Sequence, residues 1–92
     1  MDFNWDENKN QQNITKHGID FIDVQKVFDN PILFKEDKRK DYSEKRFIGI
    51  GEMLSIIIVV IWTFRKNTIR IISARLANKK EREIYHERID KN

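Results

Sequence analysis

The spacing of apolar residues changes near Pro31 and again near Ala77. Before Pro31 the pattern is helical. "FNW" (3–5) reads as a short strand or extended lead-in. "DENKNQQNITKHG" reads as a first helix, with Asp6 as N-cap and Gly18 as the C-terminal stop. Its only apolar residue after Trp5 is Ile14, so this helix is expected to sit loosely on the fold or against a partner. "IDFIDVQKVFDNP" predicts a second helix, capped by Asp20 and stapled by Ile19 to Val24. Phe21, Val24, Val27 and Phe28 share one face, and Pro31 ends the helix.

After Pro31 the period becomes two, the signature of strands. "ILFKE" (32–36), "KRFIGIG" (45–51), "LSIIIVVIWTFR" (54–65) and "TIRIISAR" (68–75) follow in turn. Lys66-Asn67 predicts a two-residue hairpin turn, with Asn supplying the positive φ, and Gly51-Glu52-Met53 a second reversal. Links this short force antiparallel neighbours, so residues 45–75 form a meander. In the long strand Leu54, Ile56, Ile58, Val60, Trp62 and Phe64 make an apolar side that should meet the helices. Ile69 and Ile71 match that side, and Arg70 points away from it. Arg75 would face the core in a regular strand, so a bulge or strand end near Ser73 is expected to turn it outward. Arg65 and Arg70 then share the open face near one hairpin, with Arg75 near the opposite rim. From Asn78 the pattern is helical again, and Asn78 with Glu81 makes a capping-box start. The fold class is α+β: an antiparallel sheet, two N-terminal helices and one C-terminal helix, in one domain over residues 1–92.

Composition narrows the class. Of 92 residues, 39% are hydrophobic and 36% charged, with both signs present, a composition that folds. There is no cysteine, which excludes disulfides and thiolate metal sites. The longest apolar run is about half the ~20 residues of a membrane-spanning helix, and "MDFNWDENKN" is no signal peptide, so a cytoplasmic protein is expected. The net charge of +3 conceals an asymmetry. Residues 1–64 carry nine Lys/Arg against eleven Asp/Glu; residues 65–92 carry nine against four. A basic C-terminal third fits a phosphate-rich partner or a solvated surface helix.

Arg46, Arg65, Arg70 and Arg75 are candidates for a phosphate cradle, because a guanidinium binds phosphate bidentately. Singly, each reads better as an ion pair on a sheet surface. Together with Lys79, Lys80 and Arg82 in the tail they favour the cradle. His17 is a candidate general base, since imidazoles titrate near neutrality, but it also suits the end of a helix, where cations complement the dipole. His86 sits in a charged helix and reads as surface. Asp6 and Glu7 are adjacent carboxylates at a helix start, a common place for anions. No metal-ligand spacing, phosphate loop or Ser-His-Asp pattern is present, so no metal or cofactor is expected.

Taken in order, "FNWDENKNQQNITKHGIDFIDVQKVFDNP", "DYSEKRFIGIG" and "TFRKNTIRIISARLANKKEREIY" resemble the BrnT family of toxins, nearly over the full length. The resemblance implies a RelE-like fold and a cytoplasmic ribonuclease toxin of a type II toxin–antitoxin system. It also implies a BrnA-like, DNA-binding antitoxin whose complex with the toxin represses their operon. One departure is Tyr42, where many members have His before the Ser-Glu pair. The resemblance suggests Arg46, Arg70 and Arg75 as charge stabilisers, with Arg65 assisting. It suggests His17 and Tyr85 as acid and base, with Lys16 and Glu7 in reserve, and Lys16, Lys79, Lys80 and Arg82 as RNA contacts. The chemistry would be metal-independent attack by the ribose 2′-hydroxyl. Two other classes explain the same charges: a non-catalytic RNA-binding module, and an interaction protein made only to meet the antitoxin.

Overall fold

The computed structural model describes residues 1–90. In chain order the elements are β1 (Asp2–Trp5), α1 (Glu7–His17), α2 (Phe21–Val24), a 3-10 segment (Gln25–Asp29), β2 (Leu33–Glu36), β3 (Phe47–Met53), β4 (Ile56–Arg65), β5 (Thr68–Leu76) and α3 (Lys79–Ile89). The strands form one sheet in the order β1-β5-β4-β3-β2. The meander is antiparallel as expected, but β1 runs parallel to β5, so the sheet is mixed. The chain is α+β, with the second N-terminal helix reduced to one α-turn that tightens into the 3-10 segment.

Turn positions differ from the sequence pattern for steric reasons. β3 does not reverse at Gly51; it pairs on to Met53, opposite Ile56. Gly51 is needed inside the strand, since a Cβ there would lie 2.5 Å from Val27 Cγ1. The reversal falls on Leu54 and Ser55, with φ of 47° and 67°, the both-positive pairing of a type I′ turn. Leucine disfavours this region, and the paired strands on either side impose it. In the other hairpin the positive φ falls on Lys66 (57°), not on Asn67.

The apolar side of β4 meets the N-terminal helices. Ile58, Val60 and Trp62 pack with Ile19, Phe21, Val24, Val27, Ile69, Ile71 and Ala74 in the main core. Burial of Ile19 together with Val24 fits the expected staple. Leu54 and Phe64, at the ends of the stripe, are exposed. The second face is not fully open. α3 folds back over one end of it, where Ile57, Val59, Ala77 and Tyr85 form a smaller core. The capping box at Asn78 and Glu81 sets the start of α3.

Helix α1 does not sit loosely. Asp6 and Gly18 cap it as expected, and two buried asparagines dock it in place of an apolar stripe. Asn10 accepts from the Phe21 N–H (2.8 Å) and donates to Asp20 (3.0 Å). Asn13 donates to the Ile19 carbonyl (3.0 Å) and accepts from the Ala74 N–H (3.2 Å). Buried polar groups left without partners are costly, so these bonds hold the helix to β5 and to the start of α2 as an apolar stripe would. Truncation of Asn13 to Ala strands the Ala74 N–H and the Ile19 carbonyl. A loss of about 2–4 kcal/mol is expected, read as a lower midpoint in urea unfolding.

Candidate active site

The register of β5 decides which arginines meet. Ile71 pairs with Trp62 and Ser73 with Ile61, so Ile72 is an extra residue, a β-bulge. Before it, Ile69 and Ile71 face the main core; after it, Ala74 does. Arg70 pairs with Thr63 and Arg75 with Val59, which puts both on the second face of the sheet. The outward turn of Arg75 expected near Ser73 is thus produced one residue earlier, at Ile72.

On that face, beyond the end covered by α3, lies a hollow of about 80 Å³. Ile48, Val59 and Ile61 line it from β3 and β4, and Ser73, Ala74 and Arg75 from β5. His17 reaches it from the end of α1, and Arg39 from the loop between β2 and β3. The volume suits a phosphate-sized group or roughly two or three waters. A shallower depression of about 260 Å³, sharing His17 and Ser73, extends past Lys9 and Lys16. One imidazole, two guanidiniums and two lysines therefore border two neighbouring depressions that share His17 and Ser73. Another cavity, of about 470 Å³, lies between α3 and β2–β3; its walls are mostly aliphatic, with Lys35, Glu81 and Arg88 as its charged residues.

Each arginine of this face has a partner that fixes its direction. Arg75 binds Glu81 through Nη1 and Nη2, both at 2.9 Å, and Nη1 also donates to the Leu76 carbonyl. Arg39 binds Asp37 through Nε (2.8 Å) and Nη2 (2.9 Å). Arg65 binds Glu44 through Nε and Nη2, both at 3.3 Å. Arg70 donates to Asn4 Oδ1 (3.2 Å). Arg46 lies over the Tyr42 ring, 4.3 Å from its centroid, with its Nε buried and unpartnered among the described residues.

The charges register in the titration of the carboxylates. Hydrogen bonds from Arg39 hold Asp37 far below the usual carboxylate range, overcoming its burial. Hydrogen bonds from Arg75 lower Glu81, again against burial, and Arg65 lowers Glu44 with help from the charges of Arg46 and Arg70. Glu81 raises Arg75, while Arg39 acts against this, so the two guanidiniums feel one another.

Of the residues expected from sequence, the hollow unites Arg75 and His17, with Lys16 beside them. Arg65, Arg70 and Arg46 gather instead around Glu44, a second cluster on the same face. Tyr85 is 3% exposed, and its hydroxyl donates to the Pro31 carbonyl at 2.8 Å. Burial raises its phenol above the ordinary value. Glu7 binds Trp5, Asn10 and Gln11 at the start of α1. Lys79 and Lys80 are exposed in the first turn of α3, and Arg82 donates to the Ala77 carbonyl. Arg39 was not foreseen; it lies in a charged stretch between strands that reads as plain loop. The local signal was Asp37 two residues earlier, an Asx-turn position whose carboxylate also accepts the Arg39 N–H.

A family model described as the ribonuclease toxin BrnT of type II toxin–antitoxin systems matches residues 5–81. The chain belongs to the BrnT family. No match is found among curated proteins. Membership makes the chain a ribonuclease toxin, with RNA as its target and a protein antitoxin as its partner. The matched span holds every residue of the hollow and both arginine clusters. Among the described residues, no BrnT helix is long and apolar enough to cross a membrane, and no three His, Asp or Glu residues gather as a metal site.

Depressed carboxylates fix the sign of the acid response. Asp37, Glu44 and Glu81 hold fewer protons folded than unfolded, so their stabilisation is complete above the usual carboxylate range of about 4 and lost as pH falls through their folded values. The melting temperature of this BrnT chain should begin to fall below about pH 5 and keep falling through the depressed folded values, below the usual carboxylate range. Asp37→Asn should lower it at neutral pH and flatten that slope, as followed by calorimetry.

Proposed function

We propose that this toxin cleaves RNA on the second face of the sheet by attack of a ribose 2′-hydroxyl on its own phosphate. The oxygen–phosphorus bond forms as the bond to the 5′-oxygen breaks. A proton leaves the 2′-hydroxyl, and another reaches the departing oxygen. The products are a 2′,3′-cyclic phosphate and a 5′-hydroxyl. The observation that carries this reading is the hollow in which His17 meets Arg75 beside a basic depression. Preorganised cations stabilise the charge that develops at phosphorus, and an imidazole can move the protons. These groups are sufficient for the reaction without a metal ion.

Within this reading Arg75 stabilises charge, and His17 is the first choice for proton transfer. Arg70, Arg46 and Arg65 take the RNA backbone further along the face, and Lys16 takes it on the other side of the bulge. Lys79, Lys80 and Arg82 form a further cationic approach. Tyr85 is placed to support the fold through Pro31, which leaves the second proton carrier to a solvent-facing group. The neutralising partner is a BrnA-like antitoxin in the same cytoplasm, and their complex represses the operon through the DNA-binding half of the pair.

The test is cleavage of a short RNA by purified toxin. Fragments should end in 2′,3′-cyclic phosphate, chelator should leave the rate unchanged, and a 2′-deoxy sugar at the cut site should block cutting. Arg75→Ala should lose on the order of a hundredfold in rate, about 3 kcal/mol, while melting cooperatively. His17→Ala should lose a comparable factor and flatten the pH profile of the rate. Cleavage of the deoxy substrate, or loss of activity on chelation, would defeat the route. RNA binding without cleavage would make the chain a binding module.

A further inference from the structure

The β2–β3 loop holds a chain of contacts that the reaction above leaves unused. The Asp37 side chain is only 1% exposed, in a loop whose other residues are exposed or half-buried. Its Oδ1 accepts from Arg39 Nε (2.8 Å) and from the Arg39 N–H (3.2 Å). Its Oδ2 accepts from Arg39 Nη2 (2.9 Å) and from the Tyr42 hydroxyl (3.1 Å). The Asp37 N–H donates to the Arg46 carbonyl at 2.7 Å, which ties the loop to the start of β3. The Arg46 guanidinium then covers the Tyr42 ring. A buried carboxylate with four donors is a fixed point, and Arg39 is the group it fixes.

An exposed arginine ordinarily samples many rotamers. Arg39 has 63% of its side chain exposed, yet it is clamped at one edge and borders the hollow. A guanidinium has two edges that can hold an oxyanion. Asp37 takes the Nε–Nη2 edge of Arg39 and, among the described residues, leaves the Nη1 side free. Glu81 takes the opposite, Nη1–Nη2 edge of Arg75 and leaves Nε with one Nη2 hydrogen. Two guanidiniums that repel one another are thus held around the same small cavity, each by its own carboxylate and each with donors to spare. Such a pair gains when an anion enters between them.

We infer that Arg39 binds the scissile phosphate beside Arg75, and that Asp37, held by Tyr42, is the positioning residue that aims it. The inference rests on the ribonuclease reading and adds to it a second phosphate-binding arginine and the device that orients it. It also gives Tyr42 a place: its hydroxyl steadies Asp37, and its ring carries Arg46.

The experiment is a double-mutant cycle in single-turnover RNA cleavage, using Arg39→Ala, Asp37→Asn and the double variant. Arg39→Ala should lose on the order of a hundredfold in rate, with millimolar guanidinium restoring part of it. Asp37→Asn should lose a similar factor, and the double variant should be no slower than Arg39→Ala alone, because Asp37 acts only through Arg39. Tyr42→Phe removes one hydrogen bond and keeps the ring beneath Arg46. It carries the same comparison should Asp37→Asn melt early, with a smaller loss that disappears when Arg39 is already Ala. Losses from Asp37→Asn or Tyr42→Phe that multiply with Arg39→Ala would reduce the loop to a structural staple. A wild-type rate for Arg39→Ala, with the wild-type chain still forming cyclic phosphate, overturns this inference and leaves the ribonuclease site standing. A wild-type chain that leaves RNA intact overturns both.

Discussion

One inserted residue in β5 decides which face of the sheet Arg75 occupies. Ile72 breaks the two-residue period, so the apolar run that begins with Ile69 and Ile71 resumes at Ala74. Without it Arg75 would point into the main core, where an unpaired guanidinium cannot remain. The bulge would leave the Ala74 N–H buried and unpaired, but Asn13 supplies the missing acceptor. The same asparagine fixes α1, and α1 ends at His17. One side chain therefore couples the strand irregularity that aims Arg75 to the helix that delivers the imidazole.

Gathering like charges on one face carries an electrostatic cost, and the fold meets it locally. Asp37, Glu44 and Glu81 each hold one arginine, and each is held below its ordinary pKa in return. None of these pairs is fully buried on both sides, so their contribution to stability is modest. What they supply is direction. Glu81 does this while also completing the capping box of α3 with Asn78. The helix start and the aim of Arg75 are thus set by one carboxylate, with the orienting group built into secondary structure.

Periodicity made most of the architecture legible. The alternation in β4, the caps at Asp6, Asp20 and Asn78, and the stop at Gly18 each report a local rule that the tertiary fold leaves intact. Even the bulge could be foreseen, because a regular strand would have buried Arg75. The parallel pairing of β1 with β5 could not, since it joins residues more than sixty positions apart with no turn to mark it. Nor could the docking of α1, where two asparagines replace an apolar stripe and look like surface residues in a polar sequence. In the site, Arg75 and His17 were visible as residue types. Arg39 was hidden, because its place at the hollow depends on a carboxylate two residues away becoming buried, and burial inside a charged loop leaves no periodic trace.

The charges along the three helices separate folding from function. α1 follows the dipole rule, with Glu7 in its first turn and Lys16 and His17 in its last. Its cations are where stability alone would put them, and the proposed reaction would borrow them. α3 breaks the rule: Lys79 and Lys80 occupy its first turn, where the helix end is already positive. Only Glu81 opposes them, and it is shared with Arg75. Two exposed lysines at that position cost helix stability, and among the described residues neither forms an ion pair. Their placement makes sense when the compensating charge comes from outside the chain. In a ribonuclease toxin both targets qualify, since RNA brings phosphates and an antitoxin can bring carboxylates. The exposed cations at the start of α3 therefore stand where phosphates or carboxylates from a partner would offset a helix end that is already positive.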